Sequence, residues 1–354
     1  MKIGILTFPN SPSFGASLQM RGLYRALQDL GSEVEIINYQ NTFMAKNKHI
    51  GKKNTVKNII LFFLDISSKK KFSKFEKQLQ FFPNKTICEK DDLKQIGNRY
   101  DYLICGSDQV WNPKITGEDL NYFFLFCDDN FKKISYAASF GVNELSTAIS
   151  LKVKEQLKKF NHISVREEQG AKIVYELLNT DCTIVLDPTM LISQDEWRSC
   201  EKKFTSLPPK YIARFIFNYD DNVEKKIKEL QEKTGLPVVT IGGNIISKFK
   251  KGLCTGSIGP AEWLYVLDHA DHVVTDSFHG AAFSIIFHKD VFVSIASSTN
   301  SRLKTLLHTF ELDNRIIGET LPVGEIDYEN VQKIMNEKKE YSLDFLRKAI
   351  NIGE

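Results

Sequence analysis

A histidine stands where a predicted apolar strand passes into a predicted helix, in the stretch VVTDSFHGAAFSIIFHK. A protein core favours an apolar residue there, whereas a site that handles an anion or a proton favours His279. A helix N-terminus lowers the pKa of an imidazole, and a bound phosphate or carboxylate reverses that effect. We therefore predict that His279 acts as an acid once an anionic substrate binds, with Ser277 and Gly280 in the substrate site. A neutral histidine hydrogen-bonded inside the domain is the alternative.

Polar residues also follow the apolar strand predicted in YDYLICGSDQVWNP. Asp108 is predicted to accept a proton from a substrate hydroxyl or to orient that hydroxyl, and capping of a loop is the alternative. Ser107 and Gln109 are placed in the same substrate site. Trp111 is predicted to stack on a sugar face, and a position in the core is the alternative.

Two arginines lie at predicted strand ends, where a guanidinium would match a carboxylate or phosphate through two hydrogen bonds. Arg166 ends a short strand, and Arg302 closes the polar run SSTNSR, in which Asn300 is a further predicted substrate contact. A structural salt bridge is the alternative for each arginine. Gly15 precedes a predicted helix whose free N–H groups favour an anion, and plain turn chemistry is the alternative. The sequence contains no dinucleotide-binding glycine motif and no P-loop.

A metal site has little support in this sequence. Asp268, His269, Asp271 and His272 have the residue types of metal ligands, but they lie where a helix ends and a strand begins. Their side chains are therefore expected to point in different directions. Neither an H-E-x-x-H motif nor a G-x-S-x-G nucleophile motif is present. We predict no metal.

The elements that must position these residues alternate between strand and helix. KIGILTF, SLQMRGLYRALQDLG and EVEIINY predict a strand, a helix and a strand, with Ser17 as the helix N-cap and Gly31 at its end. A second alternating set begins at KYIARFIFN. We predict an α/β fold with two Rossmann-like domains, mostly parallel sheets and a GT-B-like plan. Ligands should bind outside the strands' carboxyl ends, in the interdomain cleft.

The predicted domains cover residues 1–195 and 205–325, followed by a C-terminal helix over residues 326–354. The first domain carries a basic insertion over about residues 45–80, in which ten lysines accompany Asp65 and Glu76. One interpretation of this insertion is a solvated helical segment. The other is a surface that rests on anionic lipid or gathers an anionic substrate.

Composition narrows the class of protein. The 354 residues carry a net charge of +3, which is too small to indicate nucleic-acid binding. Six cysteines without a C-x-x-C pair predict buried free thiols in a reducing cytosol. The N-terminus lacks a signal-peptide pattern, and the longest apolar run, IILFFL, is too short to span a bilayer. We therefore expect a cytoplasmic protein, with peripheral contact at the inner face of the membrane as a further hypothesis.

Several of these stretches resemble the polysaccharide pyruvyl transferase family. They are FGASLQ, YDYLICGSDQVWNP, YAASFG, SVREEQG, LDPTML and VVTDSFHGAAFSIIF followed by NSR, in the expected order between about Met1 and Arg315. The resemblance implies a two-domain fold like that of GT-B glycosyltransferases. It also implies transfer of a pyruvyl group from phosphoenolpyruvate to two hydroxyls of a sugar, which forms a cyclic ketal and releases phosphate.

The resemblance assigns roles to individual residues. The family's key histidine maps onto His279, and the arginine of its S-x-R-[DE] motif maps onto Arg166. Some branches carry an arginine two residues before the histidine, where this sequence has Ser277, and we expect Arg302 to replace it. Phosphoenolpyruvate is the co-substrate, and no cofactor is implied. The implied acceptors are sugars of capsule, exopolysaccharide or cell-wall precursors, often lipid-linked at the inner membrane face.

Two other functions remain open. A nucleotide-sugar glycosyltransferase on the same plan would need a ribose-binding carboxylate, for which Glu262 is the candidate, although a helix-surface glutamate is the simpler interpretation. A non-catalytic glycan-binding protein would not need His279 at all. Phosphate release from phosphoenolpyruvate distinguishes the three functions.

Overall fold

A computed structural model describes residues 1–47, 67–88, 90–128, 131–218, 220–242, 253–295, 301–318 and 324–352. The chain divides into two compact units. The first unit comprises Met1–Lys52, Glu76–Ile192 and Glu337–Glu354, and the second comprises Lys53–Phe75 and Ser193–Asn336. The division along the main chain falls between Ile192 and Ser193.

The first unit is built on seven parallel strands in the order β3-β2-β1-β4-β5-β6-β7. These strands are β1 (Lys2–Leu6), β2 (Glu33–Tyr39), β3 (Phe81–Ile87), β4 (Tyr102–Cys105), β5 (Lys132–Ala138), β6 (His162–Val165) and β7 (Thr183–Ile184). The helices between residues 14 and 178 are α1 (Phe14–Asp29), α2 (Thr42–Asn47), α3 (67–76), α4 (Lys90–Gly97), α5 (Pro113–Thr116), α6 (Thr147–Leu157) and α7 (Glu168–Leu178). Most of α3 belongs to the second unit. The strand order reverses at β1, so β1 and β4 flank the switch point at which open parallel sheets bind ligands.

The second unit is built on five parallel strands in the order β10-β9-β8-β11-β12. These strands are β8 (Ile212–Phe215), β9 (Val238–Thr240), β10 (Leu253–Cys254), β11 (His272–Thr275) and β12 (Asp290–Val293). The helices of this half of the chain are α8 (Gln194–Ser199), α9 (Asp221–Thr234), α10 (Pro260–Asp268), α11 (Phe278–Ile286), α12 (Ser301–Thr309) and α13 (Tyr328–Ala349). The predicted α/β class with two parallel, Rossmann-like sheets is confirmed.

Helix α1 begins one turn earlier than its sequence predicts. Ser13 has an extended backbone, and its hydroxyl accepts a hydrogen bond from a backbone amide of the first turn, so Ser13 is the N-cap. Ser17 lies inside the helix, where its hydroxyl donates to the Glu76 carboxylate at 2.6 Å. The prediction of Ser17 as N-cap was therefore wrong. Gly31 follows the helix with a φ of 82°, as its predicted role requires.

The C-terminal helix is not a separate element. The buried apolar side chains of the first unit include Ile3 and Ile5 of β1 together with Leu346, Ala349 and Ile350 from the last turn of α13 and the residue after it. Leu6 of β1 belongs to another buried cluster, because successive strand side chains point to opposite faces of a sheet. The end of α13 is thus part of the first unit's core.

The described part of the basic insertion is α3. Phe72 and Phe75 are buried, whereas Lys69, Lys70 and Lys74 are exposed. Residues 48–66 of the predicted insertion lie outside the described residues.

The predictions on thiols and membrane spans have different outcomes. All six cysteines are free, but only Cys105 is buried. Cys127, Cys182 and Cys200 are half-buried, and Cys88 and Cys254 are exposed, so the prediction of buried thiols was confirmed for Cys105 alone. None of the helices within the described ranges has both the length and the apolar character that crossing a bilayer requires.

Gly22 marks a close approach of α1 to the backbone at Pro188. A Cβ atom on Gly22 would lie 2.4 Å from the Pro188 carbonyl oxygen. We expect Gly22→Ala to lower the free energy of unfolding by about 2 kcal/mol, because one of the two segments must move. Urea denaturation measures the change. Gly318→Ala is the control, since a Cβ there meets nothing within 4 Å; equal midpoints for both variants would contradict the prediction.

Candidate active site

The candidate residues lie at the carboxyl ends of the strands in each unit. Parallel pairing places these ends at one edge of a sheet, where ligands bind. We describe each group by itself. The first-unit cluster consists of Ser107, Asp108, Arg166, Glu167 and Asp187, and the second-unit cluster consists of Phe217, Asn218, Asp276, Ser277, His279 and Gly280.

Arg166 is enclosed by carboxylates. Its side chain is 1% exposed and donates to Asp187 at 2.7 Å; Asp108 lies 3.4 Å and Glu167 4.0 Å from the guanidinium. Burial lowers the pKa of Arg166, but the three carboxylates raise it above its ordinary value. This guanidinium pairs with carboxylates of the protein itself. The structural salt bridge, the alternative for this arginine, therefore fits Arg166 better than the predicted contact with a substrate carboxylate or phosphate. The structure supports a positioning role for Arg166.

Asp108 is held by both its backbone and its side chain. Its φ of 76° lies in the left-handed region, which residues other than glycine rarely adopt. Its carbonyl oxygen accepts from the Ser139 amide at 3.0 Å, and its carboxylate accepts from the Gln109 amide at 2.8 Å. The side chain keeps 15% of its surface exposed. Asp108 therefore caps the loop, and part of its side chain remains exposed.

Ser107 and Gln109 are engaged within the protein. The Ser107 amide donates to Gln19 at 3.0 Å and its buried hydroxyl donates to the Ala137 carbonyl at 2.9 Å. The Gln109 side-chain oxygen accepts from Asn112 at 2.8 Å. Both residues shape the loop after β4, and their contact with substrate stays a prediction.

Trp111 is a core residue. Its side chain is buried and stacks on Phe123 with ring centroids 5.0 Å apart, and its indole N–H donates to the Tyr122 carbonyl at 3.1 Å. The prediction that Trp111 stacks on a sugar was wrong, because both its ring and its polar atom are used in packing. Gly15 lies in the first turn of α1 and not before it, and its anion-binding role stays a prediction.

Asp276 joins two strand ends in the second unit. Its carboxylate accepts from the Phe217 amide at 2.8 Å, from the Asn218 amide at 2.9 Å and from the Asn218 side chain at 3.0 Å. These bonds hold the loop after β8 against the end of β11. The Phe217 ring, with its edge toward Phe215 at 5.0 Å, is 70% exposed at this position.

His279 lies in the first turn of α11, as predicted. Its side chain is buried and meets the Phe278 ring edge-on at 5.2 Å. Ser277 is the N-cap, and its hydroxyl accepts from the Gly280 amide at 3.3 Å. Gly280 serves packing, since a Cβ there would lie 2.4 Å from the Thr275 hydroxyl. The imidazole therefore stands at the positive end of a helix dipole, where an anionic ligand is favoured.

The remaining predicted residues have different outcomes. Arg302 is the second residue of α12 and is half-buried, and its replacement of a family arginine stays a prediction. Asn300 lies outside the described residues. Glu262 accepts from the Gly259 amide at 3.0 Å and from Lys202 at 2.7 Å. Because these bonds cap α10, Glu262 is not placed for the predicted contact with a ribose.

Two of the suspected metal ligands, Asp268 and His269, lie beside Glu201, which the sequence did not suggest as a ligand. Glu201, Asp268 and His269 place ligand atoms within 4.8 Å of one another. Arg198, however, donates to Asp268 at 2.8 and 3.2 Å, and the Lys289 ammonium lies 3.6 Å from it. Burial and the neighbouring Asp268 raise the pKa of Glu201 to about 7, so this carboxyl holds its proton more tightly than usual. Asp268 is therefore part of a network of ion pairs within the protein.

Sequence reasoning gave no role in the site to three residues, although Asp187 and Asp276 are among the residues that follow predicted strands. Glu167 and Asp187 complete the charge cluster around Arg166, and Asp276 fixes the loop that carries Phe217. The sequence carries a signal for these residues, because each carboxylate lies within three residues of the end of a predicted strand, where ligands bind.

We expect Asp276→Ala to release the loop after β8. Hydrogen bonds to a carboxylate are worth about 1.5–3 kcal/mol, so hydrogen exchange at the Phe217 and Asn218 amides should speed up roughly tenfold or more. Asp271→Ala is the control, since Asp271 accepts from the Tyr211 amide at 3.0 Å, at the other end of β8. Unchanged exchange in the Asp276 variant would show that the loop is held by other contacts.

Solved structures share the fold. The UDP-GlcNAc 2-epimerase of Methanocaldococcus jannaschii, solved with UDP-GlcNAc and UDP, is 12% identical with a TM-score of 0.51 and full coverage of both chains. A putative UDP-N-acetylglucosamine 2-epimerase of Listeria monocytogenes is 11% identical with a TM-score of 0.55, over 99% of this chain and 94% of that one. Their likeness shows the fold alone, that of GT-B glycosyltransferases and epimerases, and it confirms the predicted fold class.

Sequence comparison identifies the family. No curated protein matches the chain significantly. The model of the family described as polysaccharide pyruvyl transferase matches residues 14–298, which include both clusters described above. The chain therefore belongs to the polysaccharide pyruvyl transferase family.

Proposed function

We propose that this protein transfers the pyruvyl group of phosphoenolpyruvate onto two hydroxyls of a sugar, forming a cyclic ketal and releasing phosphate. The observation that carries the proposal is the His279 imidazole in the first turn of α11, in a chain of the pyruvyl transferase family. The proposed acceptor is a sugar of a capsular, exopolysaccharide or cell-wall glycan precursor. The location of the site between the two domains stays a prediction.

The reaction needs one proton at carbon and two new carbon–oxygen bonds. Protonation of the methylene carbon of the donor turns C2 into an oxocarbenium-like electrophile. One sugar hydroxyl adds to C2 and loses its proton; the second then adds, and the bond from C2 to the phosphate oxygen breaks. Of the two protons lost by the hydroxyls, one restores the acid and the other leaves with phosphate, so the reaction balances without an oxidant or reductant.

His279 has the surroundings that the first step requires. The donor carries a carboxylate and a phosphate, and the N-terminus of α11 attracts anions through its helix dipole. A bound anion favours the imidazolium form, so the substrate itself would supply the charge that makes His279 an acid. Because the side chain is 9% exposed, its interaction with a donor anion would be little screened by water.

Asp108 is the proposed partner of an acceptor hydroxyl. Its partly exposed side chain can accept the hydroxyl proton or orient the hydroxyl for attack. Arg166, buried behind it at 3.4 Å, is proposed to hold the carboxylate in place.

The alternatives have weaker support. A nucleotide-sugar glycosyltransferase needs a ribose-binding carboxylate, and the only candidate from the sequence, Glu262, caps α10. A glycan-binding protein without catalysis would give no role to an imidazole at a helix N-terminus.

We expect His279→Gln to reduce phosphate release from phosphoenolpyruvate by about 10²- to 10⁴-fold, the usual contribution of a general acid. The assay uses lipid-linked galactosides and mannosides as acceptors and follows inorganic phosphate. His308→Gln, whose side chain is 74% exposed on α12, is the control and should keep full activity. Full activity in the His279 variant would contradict the proposal, and consumption of a UDP- or GDP-sugar by the unmodified protein would support the glycosyltransferase alternative.

We also propose that α3 contacts anionic membranes, where a lipid-linked acceptor would be found. Its exposed Lys70 and Lys74 lie four residues apart on one helical face. Since each lysine near such a surface contributes about 1 kcal/mol, exchanging both for Gln should weaken binding to phosphatidylserine vesicles roughly tenfold or more. Activity on a soluble acceptor should not change. The control exchanges exposed Lys333 and Lys338 of α13 for Gln, and equal vesicle binding by both double variants would exclude a role for α3.

A further inference from the structure

A cavity of about 630 Å³ lies in the second unit, at the edge of the sheet opposite to His279. Its wall includes α9 and the first residues of β11 and β12, His272 and Asp290. His279 instead follows the carboxyl end of β11, so the length of the strand separates the two places. The volume is typical of small-molecule sites, which occupy roughly 300–1,000 Å³.

A buried ammonium lines this cavity. The Lys226 side chain is 3% exposed, and its Nζ donates to Glu229 at 3.3 Å. The same ammonium lies 4.3 Å from the centroid of the Phe292 ring. An ammonium has three N–H donors. Among the residues that the structure describes, Glu229 is the hydrogen-bond acceptor for Lys226, so donors remain for a ligand.

A buried guanidinium lines the same cavity. Arg315 is 1% exposed; it pairs with Asp290 and donates to the Gly324 carbonyl at 3.1 Å. Its carbon Cζ lies 5.0 Å from the centroid of the Phe292 ring, against which Lys226 also packs. The Arg315 Nε is buried and has no acceptor in the described part of the chain. Such a donor is costly to leave unsatisfied, and this cost points to a ligand oxygen.

The acidic residues of the cavity do not neutralise these cations fully. Asp290 accepts from His272 at 2.7 Å in addition to its pairing with the guanidinium. Asp271 accepts from a backbone amide at 3.0 Å. Glu229 is 39% exposed and Glu325 is exposed, so water screens both. The most buried charges that line the cavity are therefore the two cations, and the carboxylates that pair with them, Glu229 and Asp290, are partly exposed to water.

We propose that this cavity binds a small metabolite through an oxyanion, a phosphate or a carboxylate, that is held by Lys226 and Arg315. This site is separate from the residues proposed for pyruvyl transfer, and it does not depend on that function.

The test titrates the full-length protein with inorganic pyrophosphate and, separately, with citrate, at constant ionic strength, by calorimetry. Lys226→Met keeps an apolar stem over Phe292 and removes the ammonium. We expect it to weaken saturable binding about tenfold or more, which corresponds to one charge-assisted hydrogen bond. Lys228→Met is the control on the same helix, because Lys228 is 78% exposed and lies outside the cavity wall. The probe that binds more tightly identifies the oxyanion as phosphate or carboxylate.

A second set of measurements separates this cavity from the proposed active site. His279→Gln should keep the binding that Lys226→Met loses, and a bound probe should slow hydrogen exchange across α9 in the unmodified protein. Wild-type binding by Lys226→Met, loss of binding in His279→Gln alone, or no saturable binding by the unmodified protein would overturn the proposal. If the Lys226→Met variant does not fold, hydrogen exchange across α9 in the unmodified protein becomes the deciding measurement. Exchange that stays unchanged when the probe is added would then overturn the proposal.

Discussion

The Asp276 carboxylate and its bonds to two backbone amides set the geometry of the second-unit cluster. Parallel pairing of β8 and β11 brings Phe215 beside Thr275, so the residues that follow each strand emerge next to each other. Asp276 can then accept from the Phe217 and Asn218 amides while the chain turns into α11. Asp276 is buried, and a buried carboxylate needs such partners, so these bonds help to fix the direction in which α11 leaves the sheet. The position of His279 follows from that direction.

Charge compensation has the same role in the first unit. Arg166 follows β6, Asp187 follows β7 and Asp108 follows β4. The two carboxylates lie against the Arg166 guanidinium. Glu167 adds a link to β5, because it accepts from the Ser139 hydroxyl at 2.8 Å. Removing Arg166 would leave these carboxylates without their shared counter-charge, which proteins tolerate poorly where the group is buried. Four strand ends are thereby held by electrostatics, and of these charged side chains only that of Asp108 stays partly exposed.

Local pattern predicted much of this structure, and distant partners decided the rest. Strand–helix alternation and the histidine at a strand-to-helix turn depend on neighbouring residues, so both were predictable. The N-cap of α1 was not, because Ser13 and Ser17 are equally suitable locally and Ser17 is instead engaged by Glu76, 59 residues away. The role of Arg166 depends on Asp187, and that of Trp111 on Phe123. Periodicity and spacing do not identify such pairs.

The return of α13 to the first unit affects the order in which the chain can fold during synthesis. Ile3 and Ile5 are synthesised more than 300 residues before Leu346 and Ile350, with which they share a buried cluster. The second unit, which ends at residue 336, has emerged before that cluster can be completed. The first unit can therefore complete this cluster only after the second unit has been synthesised, and the sheet face that carries Ile3 and Ile5 lacks its partners from α13 until then.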